Sequence, residues 1–114
     1  MSNPFQSAFA SPSTAGSSLL VPGVPGMRIK VLALHAMSTL AQTIQLLSNA
    51  TPCSAAFPVA AQGGWIWPAG ILPVNTAKGT FLFAPWAQTN IGEDLNVTIS
   101  ANSNTGIQLI WVAE

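Results

Sequence analysis

Residues 91–112 constrain the fold more than any other stretch. They read IGEDLNVTIS, a linker ANSNTG, then IQLIWV. In the first arm Leu95, Val97 and Ile99 alternate with Asn96, Thr98 and Ser100. That period of two is the mark of a strand with one face buried. In the second arm Ile107, Leu109 and Trp111 take one face and Gln108 the other, while Ile110 and Val112 fit either. The linker supplies Asn102, Ser103, Asn104 and Gly106, residues suited to turns. The pattern predicts a C-terminal β-hairpin.

The preceding chain divides into short extended segments of the same kind. Residues 27–37 (MRIKVLALHAM) read as a core strand, with Ile29, Val31 and Ala33 inward and Arg28 and Lys30 outward. From Leu32 to Leu34 both faces are apolar, as where one end of a strand is covered on both sides. Ser38 and Thr39 begin a turn. Residues 40–47 (LAQTIQLL) return with Ile44 and Leu46 inward, a short helix being the competing reading because Leu, Ala and Gln favour helices. Residues 55–62 (AAFPVAAQ) form a short strand that Pro58 confines to an edge or a bulge. Gly63-Gly64 reads as a tight turn into Trp65, Ile66 and Trp67, an arm interrupted by Pro68, Gly70 and Pro73. Lys78-Gly79 turns into a strand over 80–84 with Phe81 and Phe83 on one side, ended by Pro85-Trp86. Residues 88–92 turn into the terminal arms. About eight short strands at this spacing predict an all-β fold, an antiparallel β-sandwich of jelly-roll or Ig-like type over residues 27–114.

Residues 1–26 differ from the rest. Half are Ser, Pro or Gly, and none is charged. Pro12, Pro22 and Pro25 oppose regular structure. Yet Phe5, Phe9, Leu19, Leu20 and Val21 punctuate the segment, which a bare linker does not require. The expectation is an extended N-terminal arm that orders on a neighbouring subunit, with those apolar residues as anchors.

Charge argues for assembly. Only 5% of the 114 residues are charged, the net charge is zero, and the mean hydropathy is +0.45. Net charge is what holds copies of a protein apart in solution, so this surface is expected to be covered by other chains. No basic patch provides a footprint for nucleic acid. No apolar run reaches the length of a helical membrane span. The N-terminal residues lack a basic segment followed by an apolar core, so no signal peptide is expected. A single cysteine, Cys53, leaves no internal disulfide and suits assembly in a reducing cytoplasm.

Catalytic chemistry finds few candidates. His35 is the one histidine and stands in an apolar strand, where a structural role is expected. Cys53 reads as a small packing residue. Glu93 and Asp94 read as turn caps, or as partners of Arg28 or Lys30 across a sheet. One His, one Cys and two adjacent acids are too few for a metal site, and no glycine-rich phosphate loop is present. Neither enzymatic activity nor a cofactor is expected. The tryptophans say more. Trp65 and Trp67 share a strand face by their spacing, and they are expected in the core or in subunit contacts. A carbohydrate-binding platform is the rival reading, although the chain has no tyrosine to help hold sugar hydroxyls.

Four stretches in order resemble a family of small virion proteins of tailed bacteriophages. They are RIKVLAL at 28–34, Phe-Pro-x-Ala-Ala-x-Gly-Gly at 57–64, Gly-Glu-x-Leu-Asn-x-x-x-Ser at 92–100, and the apolar strand at 107–112. The resemblance spans residues 27–113. The Trp-Ile-Trp-Pro segment and residues 80–86 are more aromatic than the family pattern, and residues 1–26 lie outside it. The resemblance implies a capsid decoration, or cement, subunit: a β-sandwich bound to the major capsid protein on the outside of the virion, made in the host cytoplasm and often trimeric. On that reading Phe5, Phe9, Leu19 and Leu20 reach neighbours, while Trp65, Trp67 and Trp86 sit in capsid or subunit contacts. A receptor- or glycan-binding fibre or tail module is the alternative.

Overall fold

A computed structural model describes residues 5–68, 73–75, 81–83 and 85–114. Two antiparallel sheets pack face to face, and among the described residues there is no helix. The first sheet runs β1 (Gln6–Ala10), β12 (Thr105–Ala113), β3 (Ile29–Ser38). The far edge of β3 is shared by β7 (Gly63–Trp67), against residues 34–38, and β10 (Ala87–Gln88), against Lys30 and Val31. The second sheet runs β2 (Gly16–Val21), β11 (Leu95–Ile99), β4 (Gln42–Ser48). There the far edge is shared by β5 (Thr51–Pro52) and β6 (Phe57–Val59). A small separate ribbon pairs β8 (Pro73–Asn75) with β9 (Phe81–Phe83). The strand expected over 80–84 is therefore present as β9. The turn at Lys78-Gly79 and the side chains of Phe81 and Phe83 lie outside the described residues.

From β1 to β4 the chain changes sheet at every connection, and it does so again at β6–β7, β10–β11 and β11–β12. Eight strand positions in two sheets joined this way make a jelly roll. The expected sandwich is thus present, in the first of its two anticipated topologies. Its core lies between the sheets, with Ile29 and Val31 from one side and Ile44, Leu46, Leu95 and Val97 from the other fully buried. The β4 alternation is as expected, and Ile44 pairs with Ile99 in a strand rather than lying on a helix.

The C-terminal arms are strands but not a hairpin. β11 belongs to the second sheet and β12 to the first. Alternation fixes which face of each strand is buried, and a hairpin and an arch between sheets bury the same faces. Here those faces meet across the roughly 10 Å that separates packed sheets. The linker is held by Gln42, a buried side chain at the start of β4. Its Nε2 lies 2.7 Å from the hydroxyls of Ser38 and Thr105 and 3.0 Å from that of Ser103. Its Oε1 accepts from the Ala101 amide at 3.1 Å. The β3–β4 and β11–β12 crossings are thereby pinned together at one end of the sandwich, and Thr39 N donates to Asn104 O beside them.

Residues 6–21, expected in a separate arm, contribute an edge strand to each sheet of their own chain. β1 pairs with β12 and β2 with β11. β11 and β12 each need a second neighbour, and the N-terminal segment supplies it. The composition hides this because small residues, Ala8 and Ala10, carry the inward face of β1. β2 contains a bulge, with Leu95 opposite Val21 and Asn96 opposite Leu19, so both Leu20 and Val21 turn into the core.

A second bulge shifts the phase of β3. Ile110 faces Ala33 while Trp111 faces Val31, with Leu32 extra between them. Ala33, expected inward, therefore stands on the outer face, and Leu34 and Ala36 are buried. Pro58 lies on an edge as expected, because β6 pairs with β4 alone. The turn placed at Gly63-Gly64 falls slightly earlier, closed by Gly63 N to Ala60 O at 2.9 Å with Gln62 at φ 60°. Gly64 is in the strand itself, where a Cβ would strike the Ala36 carbonyl. Its lack of a side chain lets β7 approach β3.

Candidate interaction surface

The outward faces of the two sheets have opposite character. On the second sheet the outward positions include Thr43, Gln45, Asn96, Thr98 and Ser17, an ordinary solvated face broken by Leu19. On the first sheet the register lines up different residues. Phe9 stands beside Gln108, Gln108 beside His35, and His35 beside Ile66. The adjoining row is Ser7, Ile110 and Ala33, with Met37 and Gly106 on the other side. Phe9 is 77% exposed, Ile66 64%, Met37 46% and Ile110 40%. From Ala33 to Met37 this face carries no Lys, Arg, Asp or Glu among the described residues.

Two shallow recesses lie along it. One, of about 370 Å³, is lined by Ala33, His35, Ile66, Pro68 and Ile110. The other, of about 360 Å³, is lined by Phe9, Met37, His35 and Gln108. Contiguous exposed apolar surface of this sort marks sites that contact other macromolecules. The expected role for His35 within an apolar strand is corrected: its side chain is exposed at the middle of this face.

The anchors expected from the sequence divide among three places. Phe5 and Phe9 are exposed, and Phe9 joins the apolar face. Leu19 is exposed on the opposite sheet, next to Asn96. Leu20 is 7% exposed and belongs to the core, which removes it as an interface residue. Trp65 and Trp67 sit opposite Ala36 and Leu34, so their indoles share the inward face and pack on the core edge. There they meet Phe57 of the other sheet, with ring centroids 4.8 Å from Trp65 and 5.8 Å from Trp67. Trp86 stacks on Trp67 at 5.8 Å, nearly parallel, and donates from Nε1 to Pro68 O at 3.0 Å. Three tryptophans and a phenylalanine thus close the gap between β7 and β6, and only Trp86 is substantially open to solvent. The core half of the sequence expectation describes Trp65 and Trp67.

The acidic pair ties loops rather than sheets. Glu93 Oε1 accepts from Ser48 Oγ at 2.6 Å and from Asn90 Nδ2 at 3.1 Å. These two donors hold its carboxyl below the usual glutamate range. Asp94 Oδ1 accepts from Gly23 N at 2.6 Å, and Asp94 N donates to Asn49 Oδ1. The turn-cap expectation describes both, whereas pairing with Arg28 or Lys30 does not occur: Lys30 pairs with Glu114 at 3.1 Å, and Arg28 donates to Thr89 O. Cys53 is half-buried against the core, and burial pushes its thiol up to about 11. Among the described residues no three His, Cys, Asp or Glu side chains come together as metal ligands.

Met37, Ile66 and Ile110 are the surface residues that sequence reasoning missed. Their signal is apolar residues on both parities of one strand, as in IQLIWV at 107–112. Read singly, that signal gives a strand covered on both sides and does not say which neighbour covers it.

Fold and surface together define a jelly-roll domain with one outer face that is apolar and uncharged from Ala33 to Met37. No model of a protein family matches the chain, and no curated protein does. Among solved structures it is similar to a chain of the "Cyanophage Pam1 capsid asymmetric unit", with a TM-score of 0.50 and 11% identity. That similarity covers 97% of this chain and 86% of the other. At such identity it is a likeness of fold.

Proposed function

We propose that the chain is a non-enzymatic structural protein of a phage virion, a decoration subunit bound to the major capsid protein on the outside of the head. The observation that carries this reading is the outer face of the first sheet, where Phe9, Met37, Ile66 and Ile110 stand exposed with no charge among them. Such a face is at home against another protein, and repeated weak apolar contacts on a lattice multiply into firm attachment. The likeness of fold to a chain from a cyanophage capsid and the resemblance of residues 27–113 to tailed-phage virion proteins support the virion setting. Zero net charge favours a homo-oligomer, with a trimer as the form that the resemblance implies.

The glycan-binding alternative relies on Trp65 and Trp67 as an open platform, and both rings are turned inward on the core edge. The test is to mix the purified chain with undecorated phage heads and pellet them. Co-pelleting at a stoichiometry tied to the capsid lattice supports the proposal. A chain left in the supernatant overturns it.

A further inference from the structure

We propose that β1 is exchanged between copies, so that residues 6–10 of one chain pair with β12 of the next. The proposal rests on the homo-oligomer in the function proposed above.

β1 is the edge strand of its sheet and is held there by its ladder to β12. It gives the core only Ala8 and Ala10, while its large residue Phe9 faces away. Every large core side chain comes from elsewhere, beginning with Leu20 and Val21 on β2. The two N-terminal strands thus differ sharply in how they are secured. β2 buries two aliphatic side chains and leads to Gly23, whose amide is fastened to Asp94. β1 can leave while taking only two alanine side chains from the core.

The connection between them suits a hinge. Residues 11–15 (SPSTA) are uncharged and lie outside both strands. Pro12 fixes its own φ and pushes Ser11 toward an extended conformation, which favours a link that reaches outward. With Pro12 docked in the ladder, residues 13–15 make the link, about 10 Å when extended, so exchange requires copies packed with the β12 edge of one close to the start of β2 in the other. On arrival the strand re-forms the same backbone ladder, including Thr105 N to Pro12 O, so exchange costs little beyond the association itself. Passing the strand in one direction closes a ring for any cyclic symmetry, a trimer included.

Ser7 and Ile110 are direct partners across the β1–β12 ladder, and both face outward. The test uses chains with Cys53→Ser throughout, half carrying Ser7→Cys and half Ile110→Cys, co-assembled from denaturant and then oxidised. Their mass in solution is measured alongside. Exchange predicts disulfides joining the two kinds of chain, and bands at multiples of 11.8 kDa when the doubly substituted chain is oxidised and run without reductant. An oligomer whose doubly substituted chain runs wholly at the monomer position overturns the exchange and leaves the proposed function standing. A monomer in solution overturns both the exchange and the homo-oligomer. An exchanged oligomer that fails to pellet with heads supports the exchange and removes the proposed function.

Discussion

Gln42→Met is the substitution that probes the jelly-roll connection most sharply. It keeps the length and most of the volume of the side chain while removing its amide. Gln42 Nε2 has two hydrogens and three hydroxyls within 3.0 Å, so two good bonds form at a time. Its Oε1 accepts a third, from Ala101 N. At about 1 kcal/mol net for each bond, the loss is about 3 kcal/mol. Re-pairing of Ser38, Ser103 and Thr105 returns part of it, since their hydroxyls already approach to 3.4 Å. The Ala101 amide, left without its acceptor, adds a penalty of about 1 kcal/mol or more in the other direction. The net expectation stays near 3 kcal/mol, or roughly 1.5 M in urea midpoint for a slope of about 2 kcal/mol/M. Tryptophan fluorescence follows the transition, at one protein concentration so that association does not shift it. Gln108→Met, on the outer face, serves as the control and should move the midpoint by less than about 0.3 M. A Gln42→Met midpoint within that same margin refutes the claim that this amide locks the two crossings.

Other expectations follow from particular contacts. Gly64→Ala places a Cβ against the Ala36 carbonyl and should detach β7, seen as lost amide protection over residues 63–67 and a destabilisation of about 2 kcal/mol or more. Glu93 has a folded pKa below its ordinary value of 4.5, so its contribution to stability is complete above that value and is lost as pH falls through the lower folded pKa. Glu93→Gln should flatten that acid limb in denaturation midpoints measured from pH 6 to 3. With its thiol near 11, Cys53 is about one part in a thousand thiolate at pH 8, and its alkylation should lag an exposed cysteine by about two orders of magnitude or more. Removing residues 1–24 takes Leu20, Val21 and the Gly23–Asp94 bond, and circular dichroism should show an unfolded chain.

Much of the strand content was legible because alternation survives in single strands: 95–99, 42–48 and 107–111 carry their burial openly. Partnership was not legible. The same alternation in 95–99 and 107–112 serves a hairpin or an arch, and the choice depends on Gln42, more than fifty residues upstream of the linker that it holds. The strands in 6–21 were hidden because alanines face inward in β1 and a bulge in β2 breaks the period at Leu20. A bulge at Leu32 likewise exchanged the faces expected along β3. Among the anchors, the spacing of Trp65 and Trp67 correctly put them on one face but left open whether that face pointed into the sandwich. The apolar outer face required four separated strands to be set side by side, which only the register supplies.

The central claim is that this face attaches the chain to a capsid. The most direct test is the affinity of Ile66→Lys/Ile110→Lys for undecorated heads, beside the parent chain. Both positions are exposed, so folding stability should change by no more than about 1 kcal/mol. If the face lies against the shell, two lysines must be buried there without partners, and affinity should fall by about a thousandfold or more. Binding within threefold of the parent, at equal stability and oligomeric mass, would show that another surface meets the capsid.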